Sequence, residues 1–412
     1  MTRPVINVII NFSTGAGFGN PFIIDQGILG IDVLGDASGP IVDVSNVVDS
    51  VVTNRGRQIS AEQFNTGSAT IRILDQNGDF NPQNPASPYY TYLSPMRKIA
   101  VTATYEGVTY PIFAGYITNY NTTTPKFTGD LVYTTISAVD GFRLLQNAQF
   151  FGVIDGTAGQ TTGTRVTKIL DTIGWPNSMR DIDTGLTTVQ ADPATQRTAL
   201  SALQTVATTE YGAIYMGADG KVVFQDRSVT VASIGGTPTV FNDNGTSISY
   251  FDVKWVLDDT QVYNKATITR EGGSVQTVSD TASIEKYFTH SYNQSGLLMQ
   301  TDAEALNYAR AFIASRKETA IRVDELTLDL QQDNYTAGTI AGLDLDYFDP
   351  ITITTAQPNS TTLTKTVQVF NITHQIRPDS WKVKFGTAEP IIDGFIVGST
   401  LFGILGTSVL SY

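Results

Sequence analysis

Pro82, Pro85, Pro88 and Pro95 fall in one stretch, and they restrict the fold of this region more than any other feature of the chain. Proline lacks an amide donor and pushes the residue before it out of helical backbone, so the stretch is a long extended loop. Upstream, residues 68–74 alternate, with Ala69, Ile71 and Ile73 on one face, as a half-buried strand requires. Residues 99–105, downstream of the loop, are expected to be the partner strand. Asp75, Asn77 and Asp79 have the odd-position spacing of a calcium loop. Phe80, however, stands where that loop needs glycine, and no glutamate follows, which favours an Asx-type turn.

At 412 residues with 41% hydrophobic content, the chain is long enough for two or three domains with ordinary cores. The absence of cysteine removes disulfides and thiolate metal sites and suits assembly in a reducing cytoplasm. Met1-Thr2-Arg3-Pro4 runs straight into a strand-like segment with no cleavage motif, so secretion is not expected. A formal charge of −13 argues against gripping nucleic acid, because that affinity rests on neutralising phosphates. It suits a surface past which DNA slides.

Strand-like segments separated by turn residues fill residues 1–140, a first all-β domain, barrel or sandwich, with an N-terminal arm. Val166, Ile169, Leu170 and Ile173 then repeat at helical spacing, and Asp192-Pro193 is expected to open a second helix carrying Leu200, Leu203, Val206 and Ala207. Residues 213–216 and 222–224 flank Asp219-Gly220 as a hairpin. Residues 141–249 are therefore an α/β insertion. Residues 250–390 return to strands and hold one helix, which a Thr301/Glu304 capping box opens and which carries Ala305, Tyr308, Ala309, Phe312 and Ile313 as its stripe. The fold class expected is mainly β with an α/β insertion, two β-barrel-like domains flanking it, and a C-terminal arm at 391–412.

The order Arg55-Gly56-Arg57, Phe64, Gly67, the Asn77-Gly78 turn into Phe80-Asn81-Pro82, then Ser87-Pro88-Tyr89, resembles the first β-domain of minor tail and baseplate-hub proteins of long-tailed bacteriophages. The domain plan and the segments 212–227 and 370–381 extend the resemblance over most of the chain. It implies two related barrels with an α/β part between them, and three subunits forming a ring whose six barrels mimic a sixfold tail tube. It also implies a virion location at the tail tip after assembly in the host cytoplasm. Other tail-tip proteins, tube proteins and the tape-measure protein are the implied partners, and phage DNA passes without specific binding. A neighbouring ring protein of the tail tip, such as the distal tail ring, and a receptor-binding or carbohydrate-active tail protein are the alternatives.

No catalytic constellation can be assembled, and no cofactor or metal site is expected. Only His290 and His374 are present, and His374, among alternating polar residues, is expected at a surface or interface. Gly15, Gly17 and Gly19 follow a strand, but Asn20-Pro21 replaces the third glycine of a dinucleotide loop. Asp344, Asp346 and Asp349 could hold a divalent cation through their oxygens, but an acidic turn before a strand is the favoured reading. Tyr89, Tyr90 and Tyr92 are expected to anchor the proline-rich loop or fill an interface. Two segments, 22–34 and 395–410, share a pattern: Phe22, Ile23, Ile28 and Leu29 in one, Phe395, Ile396, Leu401 and Phe402 in the other. Residues 394–412 carry no charge and are long enough for a membrane span, yet their glycines and hydroxyls favour extended arms over stable membrane insertion. Both segments are expected to dock on neighbouring subunits.

Overall fold

A computed structural model describes residues 3–13, 39–57, 63–123, 131–228, 237–332, 335–359 and 361–389. The N-terminal part contains β1 (Val5–Asn11), β2 (Ile41–Asp43), β3 (Val48–Gly56), β4 (Asn65–Leu74), β5 (Lys98–Tyr105), β6 (Val108–Thr123) and β7 (Tyr133–Val139). There follow α1 (Phe142–Asn147), α2 (Thr162–Thr172), β8 (Arg180–Ile182), α3 (Ala199–Glu210), β9 (Ala213–Met216) and β10 (Val222–Gln225). The C-terminal part opens with β11 (Thr239–Asn242) and β12 (Asp252–Val256). A small module comes next, made of β13 (Lys265–Arg270), β14 (Gln276–Ser279), α4 (Thr281–Tyr287), β15 (Ser291–Leu297) and α5 (Asp302–Arg316). The chain continues through β16 (Arg322–Asp329), α6 (Thr336–Asp344), β17 (Pro350–Ala356), β18 (Thr362–Arg377) and β19 (Ser380–Ala388).

One 13-stranded sheet holds two sets of strands in the same order. The first set runs β3-β4-β7-β6-β5-β1 and the second β12-β16-β19-β18-β17-β11, each member matching its counterpart in chain order as well as in position. The centre of each set is a strand of 16 residues, β6 and β18. Each is bulged against its hairpin partner, between Ile117 and Asn119 in one and between Val369 and Asn371 in the other. The sets differ at their first strand, since β1 runs antiparallel to β5 whereas β11 runs parallel to β17. They are joined by β3, which adds to β18 with Gly56 opposite Asn371 and Val51 opposite Ile376. Neither set closes on itself among the described residues, so the expected barrels are open.

Alternation explains the layering. In β4, Ala69, Ile71 and Ile73 face the core, and Ser68, Thr70 and Arg72 face out. The same core takes in α1, α2 and α3 through Leu145, Val166, Ile169, Leu203 and Val206. The module between β12 and β16 has its own core of Ala266, Ile268, Leu297, Ala305, Ala309 and Phe312. At about 25 cal/mol per Å² of apolar surface, each fully buried phenylalanine or isoleucine contributes roughly 2 to 3 kcal/mol.

Several expectations need correction. Residues 99–105 are not the partner of β4, which lies between β3 and β7. The helix expected from Asp192 begins at Ala199 with Thr198 as its cap, because the Asp192 side chain is occupied with the amides of Val153 and Ala194 and with Arg197. The C-terminal part holds α4 and α6 beside the expected helix α5. Residues 22–34, 395–410 and Gly15 to Gly19 lie outside the described residues.

Candidate assembly surfaces around the strand-set junction

The Arg55-Gly56-Arg57 segment ends β3 where the two strand sets and the α/β part meet. Gly56 has φ 117°, and a Cβ there would lie 2.2 Å from the carbonyl oxygen of Phe370, so the close approach of β18 requires glycine. Arg57 lays its guanidinium over Phe370, 4.2 Å from the ring centre, and Arg55 stacks over Tyr347 at 5.1 Å. Phe64 packs within 4.8 Å of Tyr347, 5.2 Å of Tyr215 and 5.8 Å of Phe348. The basic edge and the phenylalanine after it therefore clamp three parts of the chain together.

Arg55 is almost wholly buried. It donates to Asp346 at 3.2 Å, while its Nε and Nη1 atoms have no hydrogen-bond partner among the described residues. Asp140 accepts from the amides of Gly67 at 2.6 Å and Phe142 at 3.0 Å. Burial pushes its carboxyl up to about 7, against those two hydrogen bonds and the pull of Arg55. A Cβ on Gly67 would meet the Asp140 carboxylate at 2.7 Å, which accounts for the second glycine of the segment.

His374 is a further correction. It faces the core between Ile372 and Ile376, is only 3% exposed, and accepts at Nδ1 from the indole of Trp381. Polar neighbours in sequence put it on the outside by alternation, but those neighbours occupy the opposite face of β18. Burial, aided by the charge on Arg55, pushes its pKa down to about 3. A neutral imidazole locked in this way cannot serve as a base near neutral pH.

In the proline-rich loop, Tyr89 stacks on Phe12 at 5.4 Å and packs on Phe80 at 5.2 Å, and Tyr92 also turns toward the core. Tyr90 is 46% exposed. Asp75 accepts from the amides of Asp79 and Phe80 and from the Thr134 hydroxyl, so its carboxylate is taken up by the turn. Asp349 accepts from the amide of Asp346, closing the acidic turn. Among the described residues no group of three His, Asp or Glu side chains could hold a metal ion. No described helix is long and apolar enough to cross a membrane.

The outer face of the sheet crosses the junction without a break. Gln375, Val52, Thr70, Ser137 and Asn119 lie opposite one another in turn across five strands, and Thr373, Asn54 and Ser68 form the next row. These rows carry hydroxyl and amide groups and no charge. Charge borders these rows: Lys382 lies directly opposite Gln375, Arg377 follows two residues beyond it on the same face, Arg72 pairs with Asp49 and Lys384 with Glu325.

This arrangement is a fold of bacteriophage tail proteins. A tail protein from Neisseria meningitidis MC58 superposes with a TM-score of 0.55 at 11% identity over 94% of this chain and 97% of its own. The 43 kDa tail protein of prophage MuSo2 from Shewanella oneidensis gives 0.51 at 14% identity over 85% and 96%. No protein-family model and no curated protein sequence matches the chain.

Proposed function

We propose that this chain is a structural, non-enzymatic protein of a phage tail tip, a hub that closes the tail tube, seats other tip proteins and opens for DNA. The observation that carries this reading is the doubled set of strands in one sheet. Three copies with two equivalent sets each offer six places around a ring, so a threefold hub meets a sixfold tube with cyclic symmetry intact. Residues 1–140 and 250–390 are the two ring-forming domains, and 141–249 is the α/β part between them.

The joint between copies repeats the joint within the chain. Inside the chain, β3 adds to the edge of β18 beside residues 371–376. The equivalent edge of β6, at Asn119 to Thr123, carries no paired strand among the described residues, and β12, the counterpart of β3, ends the sheet. In the ring, β12 of one copy adds to β6 of the next. The uncharged rows at the centre of the outer face then form a strip of wall along which DNA passes without phosphate contacts. Segments 22–34 and 395–410 dock on neighbours by strand addition, with tube, tip and tape-measure proteins as partners. Only Tyr90 of the loop tyrosines is well exposed, which disfavours a sugar-stacking platform.

Native mass measurement of the purified chain, with images of tails lacking it, tests the reading. A trimer and tails blocked at the tip are expected. A monomer in the assembled tail sinks it, and a hexamer moves the chain to the distal ring.

A further inference from the structure

Thr53, Arg55 and His374 stand together on the inner face of the joint between the two strand sets. Thr53 lies directly opposite His374 in the β3–β18 ladder, and Arg55 follows Thr53 on the same face, about 7 Å along the strand. All three are buried, at 0%, 6% and 3% exposure. Beyond Thr53 the row continues in small side chains, Ala69 on β4 and Ala138 on β7, so neither strand lays a bulky group over them.

Their hydrogen bonding is incomplete, and what is left over has one sign. The Thr53 hydroxyl and the Nε and Nη1 atoms of Arg55 have no partner among the described residues. His374 accepts from Trp381 at Nδ1, which leaves its Nε2–H as a donor. Every one of these groups can donate, and the guanidinium carries a full positive charge that is costly to bury without a counter-charge.

The chain itself matches that charge poorly. Asp346 reaches only Nη2 of Arg55, from a side chain that is 44% exposed. Asp140, the other carboxyl near Arg55, accepts with its two oxygens from the amides of Gly67 and Phe142, and burial favours its neutral form. The Tyr347 ring covers one face of the guanidinium and offers no acceptor to its edge. A water molecule there would take the hydrogen bonds and leave the charge, and a metal cation would be repelled.

We propose that Thr53, Arg55 and His374 hold a small monovalent anion of the halide class at the joint between the strand sets. Arg55 supplies the charge and two N–H donors, the Thr53 hydroxyl a third donor, and Nε2–H of His374 a fourth. Enclosure selects by size: a halide, not much larger than a water molecule, fits among side chains this buried, whereas phosphate and carboxylates do not. With two of its holders on β3 and one on β18, the ion fastens the joint from inside.

The full chain, exchanged into sodium gluconate and titrated with sodium bromide at constant ionic strength, tests this. The melting temperature should rise and saturate, by about 2 °C or more at about 100 mM bromide, because an ion bound only by the folded state stabilises it by mass action. Thr53→Val keeps the side-chain shape without the hydroxyl, so it should fold and lose at least half of that rise. Crystals grown in bromide should show an anomalous peak between Thr53 and Arg55. A melting temperature that does not respond, or a map with no peak at Arg55, would overturn the proposal and give these donors to water. A peak without any rise marks an adventitious ion only and overturns it too. A rise that Thr53→Val keeps in full does the same, by placing the halide effect elsewhere on the chain.

Discussion

Trp381 donates its indole N–H to Nδ1 of His374 at 3.3 Å, so the proton of this neutral imidazole resides on Nε2. The pair sits on one β-hairpin beside the strand that joins the two sets, and it makes the core there sensitive to acid.

His374 has a folded pKa of about 3 against 6.5 for the free side chain, so the unfolded chain takes up the proton first. Its contribution is complete above about pH 6.5 and is lost as pH falls toward 3. His374→Leu should abolish this decline while costing about 1 to 3 kcal/mol at pH 7.5, because the Trp381 N–H loses its acceptor. Urea midpoints for both proteins at pH 7.5 and 5 check it. An unchanged acid slope would count against the assignment.

Asp140 acts with the opposite sign. Its folded pKa of about 7 lies above the ordinary aspartate value of 3.8, so the native state keeps a proton that the unfolded state releases. Its contribution is full below about pH 4 and is lost as pH rises through 7. Asp140→Asn, a permanently neutral stand-in, should gain stability relative to wild type between pH 5 and 8. Equal differences at the two pH values would show that the carboxyl is ionised throughout.

Gly56→Ala should destabilise by more than about 2 kcal/mol, since it combines a positive-φ penalty with overlap on the backbone of Phe370. Gly107→Ala is the control, with φ 83° and nothing within 4 Å, and should lose only about 1 kcal/mol. Thermal melts of the two variants decide it. A Gly56→Ala loss no greater than the control would mean that β3 can slide on β18.

Lysines placed on the outer sheet face should turn a passive wall into a sticky one. For Asn54→Lys with Thr70→Lys, DNA ejection is expected to slow at low salt and recover at high salt, with each phosphate contact adding about 0.9 to the salt slope. Ejection kinetics in 50 and 200 mM salt read this directly. No change would place this face away from the channel.

Local patterns in the chain were readable where burial alternates cleanly, as in Ser68 to Leu74, or where a cap is spelled out, as at Thr301, whose hydroxyl accepts from the amide of Glu304. Pairing was not readable, because nothing in residues 99–105 states that β4 instead meets β3 and β7. α6, with its sequence TAGTIAGLD, hid behind two glycines and three threonine or aspartate residues with low helix preference. His374 was misplaced because alternation gives two faces without saying which is inside. The segment from Arg55 to Gly67 was singled out by residue order alone. The reason for its glycines, a carbonyl at Phe370 and a carboxylate at Asp140, exists only in three dimensions.

The bond ladder from Val51–Ile376 to Gly56–Asn371 has a mechanical consequence. A strand shared by both halves is not a hinge. Swinging one half against the other would shear every hydrogen bond in that ladder at once, with no intermediate register that keeps side chains on their proper faces. The two strand sets therefore form a single stiff plate. In the proposed ring, any widening of the channel would fall at the seams between chains, and a load applied along the tail would reach both strand sets of every copy together.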